Sequence, residues 1–141
     1  MLLVDTNAWL AAADRRSDRH RDCVTLLAAH ASELASPVPV IAETSWLILD
    51  RLGPAAHQQF LGLVGAGHLN AVDLTAVDLT SDDWARSINL CHDYQDLRLD
   101  LMDASIVAIA ERLGVTTIAT MNHRDFAVVR PAHCDAFELI P

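Results

Sequence analysis

The sequence predicts an α/β domain of three layers, with helices on both faces of a mainly parallel, five-stranded sheet. Two observations carry that expectation. Short apolar runs suited to strands alternate with stretches of helical periodicity, and turn residues separate them with no internal repeat, linker or low-complexity segment. A third observation bounds the size: 141 residues, 52% of them apolar, suffice for one domain over 1–141 that buries roughly two-thirds of its unfolded surface.

The elements follow in order. Leu2-Leu3-Val4 is an apolar run that ends in Asp5, and Ala8 to Ala13 is a good helix former, so the chain opens as strand, turn, helix. A charged loop from Asp14 to Asp22 feeds a second helix in which Cys23, Leu26, Leu27 and Ala31 recur at helical spacing. Leu34 to Val38 reads as a strand. Pro39 suits the first turn of a helix that runs to about Leu52, where Gly53-Pro54 stops it, and another helix spans Ala55 to Val64. Gly65-Ala66-Gly67 breaks the chain before a strand at Leu69 to Leu74. Thr80 or Ser81 caps a helix ending near Tyr94, with Asp82 and Asp83 in its first turn. Met102, Ile106, Ile109 and Leu113 form the apolar stripe of the next helix, which closes at Gly114. Val115 to Ile118 and Ala136 to Ile140 supply the last two strands.

Composition excludes several classes. Charged residues are 21% of the chain and mean hydropathy is +0.22, values too apolar for intrinsic disorder. No apolar run approaches the roughly 18 residues of a membrane span, and the N-terminus has no basic flank or cleavage site, so a cytoplasmic protein without membrane contact is expected. Three cysteines without a CxxC pair read as reduced thiols. All ten basic residues are arginine; the absence of lysine removes Walker A phosphate binding and Schiff-base chemistry. A net charge of −9 argues against a broad basic face, though metal ions and local arginines can still offset repulsion from a polyanion.

The acids carry the information. Asp5 is the only charge from Met1 to Ala13, Glu43 the only one from Pro37 to Leu49, and Asp103 the only one from Leu101 to Ala110. Ionised carboxylates are costly to bury unless paired or bound to a metal. Each also has a plain structural reading: Asp5 as a helix cap, Glu43 as a first-turn acid, and Asp103 as the partner of an Asp100 cap. In an open parallel sheet, however, ligands sit at the carboxyl ends of strands, where Asp5 falls. The loop Thr120-Met121-Asn122-His123-Arg124-Asp125-Phe126 reaches the same edge. Hard oxygen ligands without zinc spacing suit Mg²⁺ or Mn²⁺.

Four motifs then converge: Val4-Asp5-Thr6-Asn7, Ala42-Glu43-Thr44, Leu101-Met102-Asp103-Ala104-Ser105 and Ala119-Thr120-Met121-Asn122-His123-Arg124-Asp125-Phe126. In this order the chain resembles a PIN-domain ribonuclease, and more closely the VapC toxins of type II toxin-antitoxin pairs. The resemblance covers nearly the whole chain. It implies a sheet ordered 3-2-1-4-5, a Mg²⁺-binding acid pocket (Mn²⁺ as an alternative) and cleavage of RNA. Asp5, Glu43 and Asp103 match the three principal acids, with Asp5 and Asp103 as direct metal ligands. Thr6, Asn7 and Thr120 match polar positions that orient the acids or the phosphate. Asn122 departs from the pattern, standing where many relatives carry a fourth acid; it adds no charge and cannot act as a base, and Asp125 nearby is its partial substitute.

The mechanism expected on this basis has a divalent ion at Asp5 and Asp103 and Glu43 orienting or deprotonating the attacking water. Low metal affinity follows from Asn122. Arg15, Arg16, Arg19, Arg21 and Arg124 are candidate contacts to the RNA backbone. The paired His and Cys residues (His20 and Cys23, Cys91 and His92, His133 and Cys134) match no zinc module and are read as structural. Trp9, Trp46 and Trp84 read as core or interface anchors. The resemblance further implies a small antitoxin as partner and a homodimer. Two other functions remain open: a PIN nuclease of RNA maturation without an antitoxin, and a catalytically silent PIN fold that serves as a binding module.

Overall fold

Leu2, Leu3 and Val4 are apolar on both faces of the chain, as a strand buried in the middle of a parallel sheet requires, and all three are buried. In the computed structural model, which describes residues 1–65 and 74–141, they form β1 (Leu2–Val4), the central strand. It pairs in parallel with β2 (Leu34–Pro37) on one side, Leu2 opposite Leu34, and with β4 (Thr117–Ala119) on the other, Leu3 opposite Ile118. The edges are β3 (Leu74–Val77) and β5 (Glu138–Ile140), which gives an all-parallel sheet in the order β3-β2-β1-β4-β5. The order implied by the resemblance is the order observed.

Side-chain alternation along β1 splits the core in two. Leu3, with Ala35 and Ile118, faces α5 (Ser81–Asp93), α6 (Leu101–Leu113) and α7 (His123–Val128), where Leu90, Ile106, Ile109 and Phe126 fill the layer. Leu2 and Val4 point the other way, into Trp9 of α1 (Thr6–Ala13), Leu27 of α2 (His20–Ala29), Ile48 of α3 (Val38–Leu52) and Phe60 of α4 (Pro54–Gly65). These are the three layers expected.

Local signals set the helix ends. Thr80 accepts from the Asp83 N–H while the Asp83 carboxylate accepts from the Thr80 N–H, a complete capping box. Asp100 caps α6 by accepting from Asp103 N–H at 2.9 Å. Gly114 ends that helix in the left-handed region, φ 68°, which glycine adopts without a Cβ penalty.

Four expectations need correction. The third strand runs from Leu74 to Val77 rather than ending at Leu74; most of the expected run, together with Ala66 and Gly67, lies outside the described residues. α2 starts at His20, inside the stretch read as a charged loop, because its exposed first turn needs no apolar residue. The segment after β4, read as a loop, contains α7. Glu43 is not a first-turn acid: α3 begins at Val38, so Glu43 sits in its second turn, where dipole stabilisation has faded. Among the described residues no helix is long and apolar enough to cross a membrane.

Candidate functional site

Sheet growth reverses between β1 and β4. β2 and β3 extend one way and β4 and β5 the other, which opens a crevice at the carboxyl ends of the two central strands. Asp5 leaves β1 and Thr120 leaves β4 at this point, and the Asp5 N–H donates to the Ala119 carbonyl at 3.0 Å. The end of β1 is held from behind: Trp9 Nε1 donates to Ser36 Oγ at 3.0 Å, and that hydroxyl donates to the Val4 carbonyl at 2.7 Å.

A continuous chain of hydrogen bonds links the candidate residues. The Thr6 hydroxyl donates to Glu43 Oε2 at 2.6 Å, and the Thr6 N–H donates to Asp5 Oδ1 at 2.6 Å. Asp5 Oδ2 accepts from the Thr120 hydroxyl at 2.7 Å, whose oxygen accepts from the Asn122 N–H at 2.9 Å. The Asn122 side-chain amide then donates to Asp103 Oδ2 at 2.9 Å and to Asp125 Oδ2 at 2.8 Å. Arg124 closes the chain, donating to Asp125 Oδ1 at 2.8 Å. Asn7 belongs to the same knot, its side-chain oxygen accepting from the Met121 N–H at 2.7 Å. Asp5 therefore caps α1 and also joins the acid cluster, so the structural and functional readings of that residue hold together.

Electrostatics separate the acids. Burial lifts Asp5 to about 6, with the charges of Asp100 and Glu43 adding to it and the bonds from Thr120 and Thr6 opposing. Burial lifts Asp103 further, to about 8, reinforced by the charges of Asp5, Asp100 and Asp125 against the Asn122 amide. Asp125 goes the other way: burial alone would raise it, but Arg124 and Asn122 hold it below the usual carboxylate range.

Neither Asp5 nor Asp103 forms an ion pair among the described residues, and the charge of Asp5 is among the influences that raise Asp103. Two buried carboxyls that repel one another are what a hard divalent ion relieves. Among the described residues no group of three His, Cys, Asp or Glu side chains could enclose a metal. An ion here would rely on two carboxylates, completed by neutral oxygens and water, a donor set that suits Mg²⁺ better than an all-protein cage does.

The model of the PIN domain family matches residues 2–130. The chain belongs to the PIN domain family. Over 99% of its length this PIN chain is 29% identical to Ribonuclease VapC26 of Mycobacterium tuberculosis, all of which it covers. Its fold is similar to VapC20 of the same organism, described as a toxin that cleaves the sarcin-ricin loop, with a TM-score of 0.80, 19% identity and full coverage of both chains. A toxin-antitoxin complex from Klebsiella pneumoniae matches with a TM-score of 0.67 and 20% identity, over 100% of this chain and 97% of that one. The family resemblance read from the four motifs is thereby borne out.

Within the candidate site, Asp5, Thr6, Asn7, Glu43, Asp103, Thr120, Asn122 and Asp125 lie in one bonded network. Arg124 stands at its rim, its side chain 79% exposed. Arg15 and Arg16 do not join it; Arg15 is exposed, and Arg16 is equally exposed and paired with Asp14 at 3.1 Å. Two contributors escaped the sequence reading. Asp100 looked like a cap alone, yet its charge raises both buried acids. Arg51, in the last turn of α3, was not singled out in the sequence, and it lines one cleft together with Asn7. His20 and His133 bond to backbone carbonyls, consistent with structural roles.

Proposed function

We propose that this PIN domain is a divalent-metal-dependent endoribonuclease that hydrolyses RNA phosphodiester bonds, the toxin of a type II toxin-antitoxin pair. The observation that carries the reading is the uncompensated pair Asp5 and Asp103 at the crevice between β1 and β4, bridged through Thr120 and Asn122. The VapC relative and the toxin-antitoxin neighbour support the substrate class and the role.

Asp5 and Asp103 would hold Mg²⁺ or Mn²⁺, and the ion supplies a Lewis acid at the scissile phosphate. Glu43, oriented by the Thr6 hydroxyl, accepts the proton of the attacking water. Thr120 fixes the rotamer of Asp5, and Asn7 fixes the backbone beyond Thr120 through Met121. Asn122 damps the repulsion between Asp103 and Asp125 with two N–H bonds and contributes no charge, so intrinsic metal affinity is low. Asp125 completes the acid set. Arg124 is a candidate backbone contact at the rim, and Arg15 and Arg16 are candidates further out.

The antitoxin docks an apolar helix in the groove of about 280 Å³ walled by Trp9, Val24, Ala28, Phe60 and Leu63. Trp84 and Ile88, exposed one turn apart on α5, suit the contact of a cytoplasmic homodimer.

The test is cleavage of a mixed cellular RNA pool by antitoxin-free protein in Mg²⁺, Mn²⁺ or EDTA, with Asp5→Ala and Asp103→Ala alongside. Discrete cuts that vanish in EDTA and in both variants are expected. A second reading, a silent binding module, draws on the Asn122 amide that already satisfies Asp103 and Asp125. Folded protein that binds RNA without cutting it in either metal would establish that reading instead.

A further inference from the structure

Beside the acid network lies a cleft of about 510 Å³ whose lining includes Asn7, Ser17, Arg19, Arg51, Leu52 and Met121. Its volume falls in the range of small-molecule sites. It is contiguous with the candidate centre, because Asn7 and Met121 belong to both. The side-chain oxygen of Asn7 is taken by the Met121 N–H, and among the described residues its NH₂ group donates to nothing.

The charges of the cleft are unequally committed. Asp14, the acid in its wall, is bound through both carboxylate oxygens by Arg16. Arg19 spends Nε on Asp22 and Nη2 on the Pro141 carbonyl, which leaves Nη1 open. Arg51 is exposed and makes no ion pair among the described residues. Leu10, Ala11, Leu52 and Met121 add apolar lining to these donors. Two guanidinium groups, a hydroxyl and an amide N–H combined with apolar surface fit a phosphate and a base together. In a chain of net charge −9, a strand of RNA approaching buried acids needs such a local anchor.

We propose that this cleft is a nucleotide subsite that holds the residue next to the scissile phosphate, with Arg51 as the phosphate contact and Leu52 and Met121 under the base. The proposal rests on the endoribonuclease reading. Arg51 lies eight residues beyond Glu43 on α3, about 12 Å along the helix axis, so one element would place both the anchor and the base.

The test measures binding of a labelled random-sequence 12-mer RNA in EDTA as a function of salt, for the wild type, Arg51→Ala, Arg51→Lys and, as a control in the contact between α5 and α6, Arg112→Ala, with thermal melting as the check on folding. Each phosphate contact contributes about 0.7 to the salt slope of single-strand binding. Arg51→Ala should lower the slope by about that amount and weaken binding several-fold, Arg51→Lys should retain the slope, and folded Arg112→Ala should leave both unchanged. In Mg²⁺, Arg51→Ala should raise KM for pool RNA with kcat unchanged. Wild-type binding and cleavage with an unaltered Arg51→Ala slope and KM overturns the subsite alone. Equal losses in Arg51→Ala and Arg112→Ala overturn it as well, by reducing both to general charge. A wild type that neither binds nor cleaves RNA overturns the subsite together with the reading beneath it.

Discussion

The Thr120 hydroxyl donates to Asp5 Oδ2 at 2.7 Å, tying the end of β4 to the end of β1 across 115 positions of sequence. One proton of one side chain thus sets the orientation of a carboxylate that also caps α1. The same oxygen receives the Asn122 N–H, so Thr120 is the joint between the two halves of the acid network.

Replacing that joint isosterically gives the first prediction. With Asp5 in its proposed role as a metal ligand, Thr120→Val should lower kcat/KM by about 10- to 100-fold, the usual effect of losing a group that orients such a ligand. Because the Thr120 bond lowers the Asp5 pKa, the acid limb of the pH-rate profile should move to higher pH. A lower melting temperature with an unmoved profile would reduce Thr120 to a structural role.

The stability of metal-free protein should fall as pH rises. Asp5 and Asp103 titrate in the fold at about 6 and about 8, above the ordinary 3.8. Between those values and the unfolded pKa the native state holds protons that the unfolded chain has lost, so their contribution is full below about pH 4 and disappears as pH climbs through 6 and 8. Asp125 and Glu111, both held below the usual carboxylate range, act in the opposite sense in acid, below the window of pH 5 to 9 in which the buried pair titrates. Thermal unfolding in EDTA should show a falling Tm across this window, and added Mg²⁺ should raise Tm most at its alkaline end.

Asn122→Asp should exchange apo stability for metal affinity. The substitution removes the amide donors to Asp103 and Asp125 and adds a further acid beside them. Calorimetry should show tighter Mg²⁺ binding than in wild type, and melting in EDTA a lower Tm. Two tight Mg²⁺ sites in the wild type without RNA would contradict the low affinity inferred from Asn122.

Away from the site, Arg112 Nε donates to both carboxylate oxygens of buried Asp83, at 3.1 and 2.9 Å, and fastens α6 to the capping box of α5. Arg112 itself is one-third exposed, which weakens the pair relative to a fully buried one. Arg112→Ala should therefore destabilise the fold by about 2 kcal/mol in denaturant melts, with RNA cleavage by the folded fraction unchanged.

Much of the frame was legible because its signals are local. β1 is unbroken apolar sequence, Gly114 supplies the left-handed stop of α6, and Thr80 or Ser81 ahead of Asp82 and Asp83 marks the start of α5, the structure choosing Thr80. α7 was not, since six residues beginning His123-Arg124-Asp125 are too few to display a period. Isolation among apolar neighbours likewise exposed Asp5, Glu43 and Asp103. What that isolation could not reveal is how the acids are joined. The bonds from Thr6 to Glu43 and from Asn122 to Asp103 span 37 and 19 positions and arise only when α1, α3 and α6 converge on the sheet edge. Arg51 stayed hidden for the same reason: it lines the cleft beside the network together with Asn7, a relationship in space rather than in sequence.

The reversal of the sheet between β1 and β4 has a consequence for synthesis. A growing chain acquires Asp5, Glu43 and Asp103 before it acquires β4, Thr120 or Asn122. An abortive product that stops after α6 would hold every principal acid of the network and lack the strand and the hydroxyl that align them. Order of translation thus separates possession of the reactive groups from their assembly, and a cell making this protein meets a competent site only after β4 has threaded in beside the first strand.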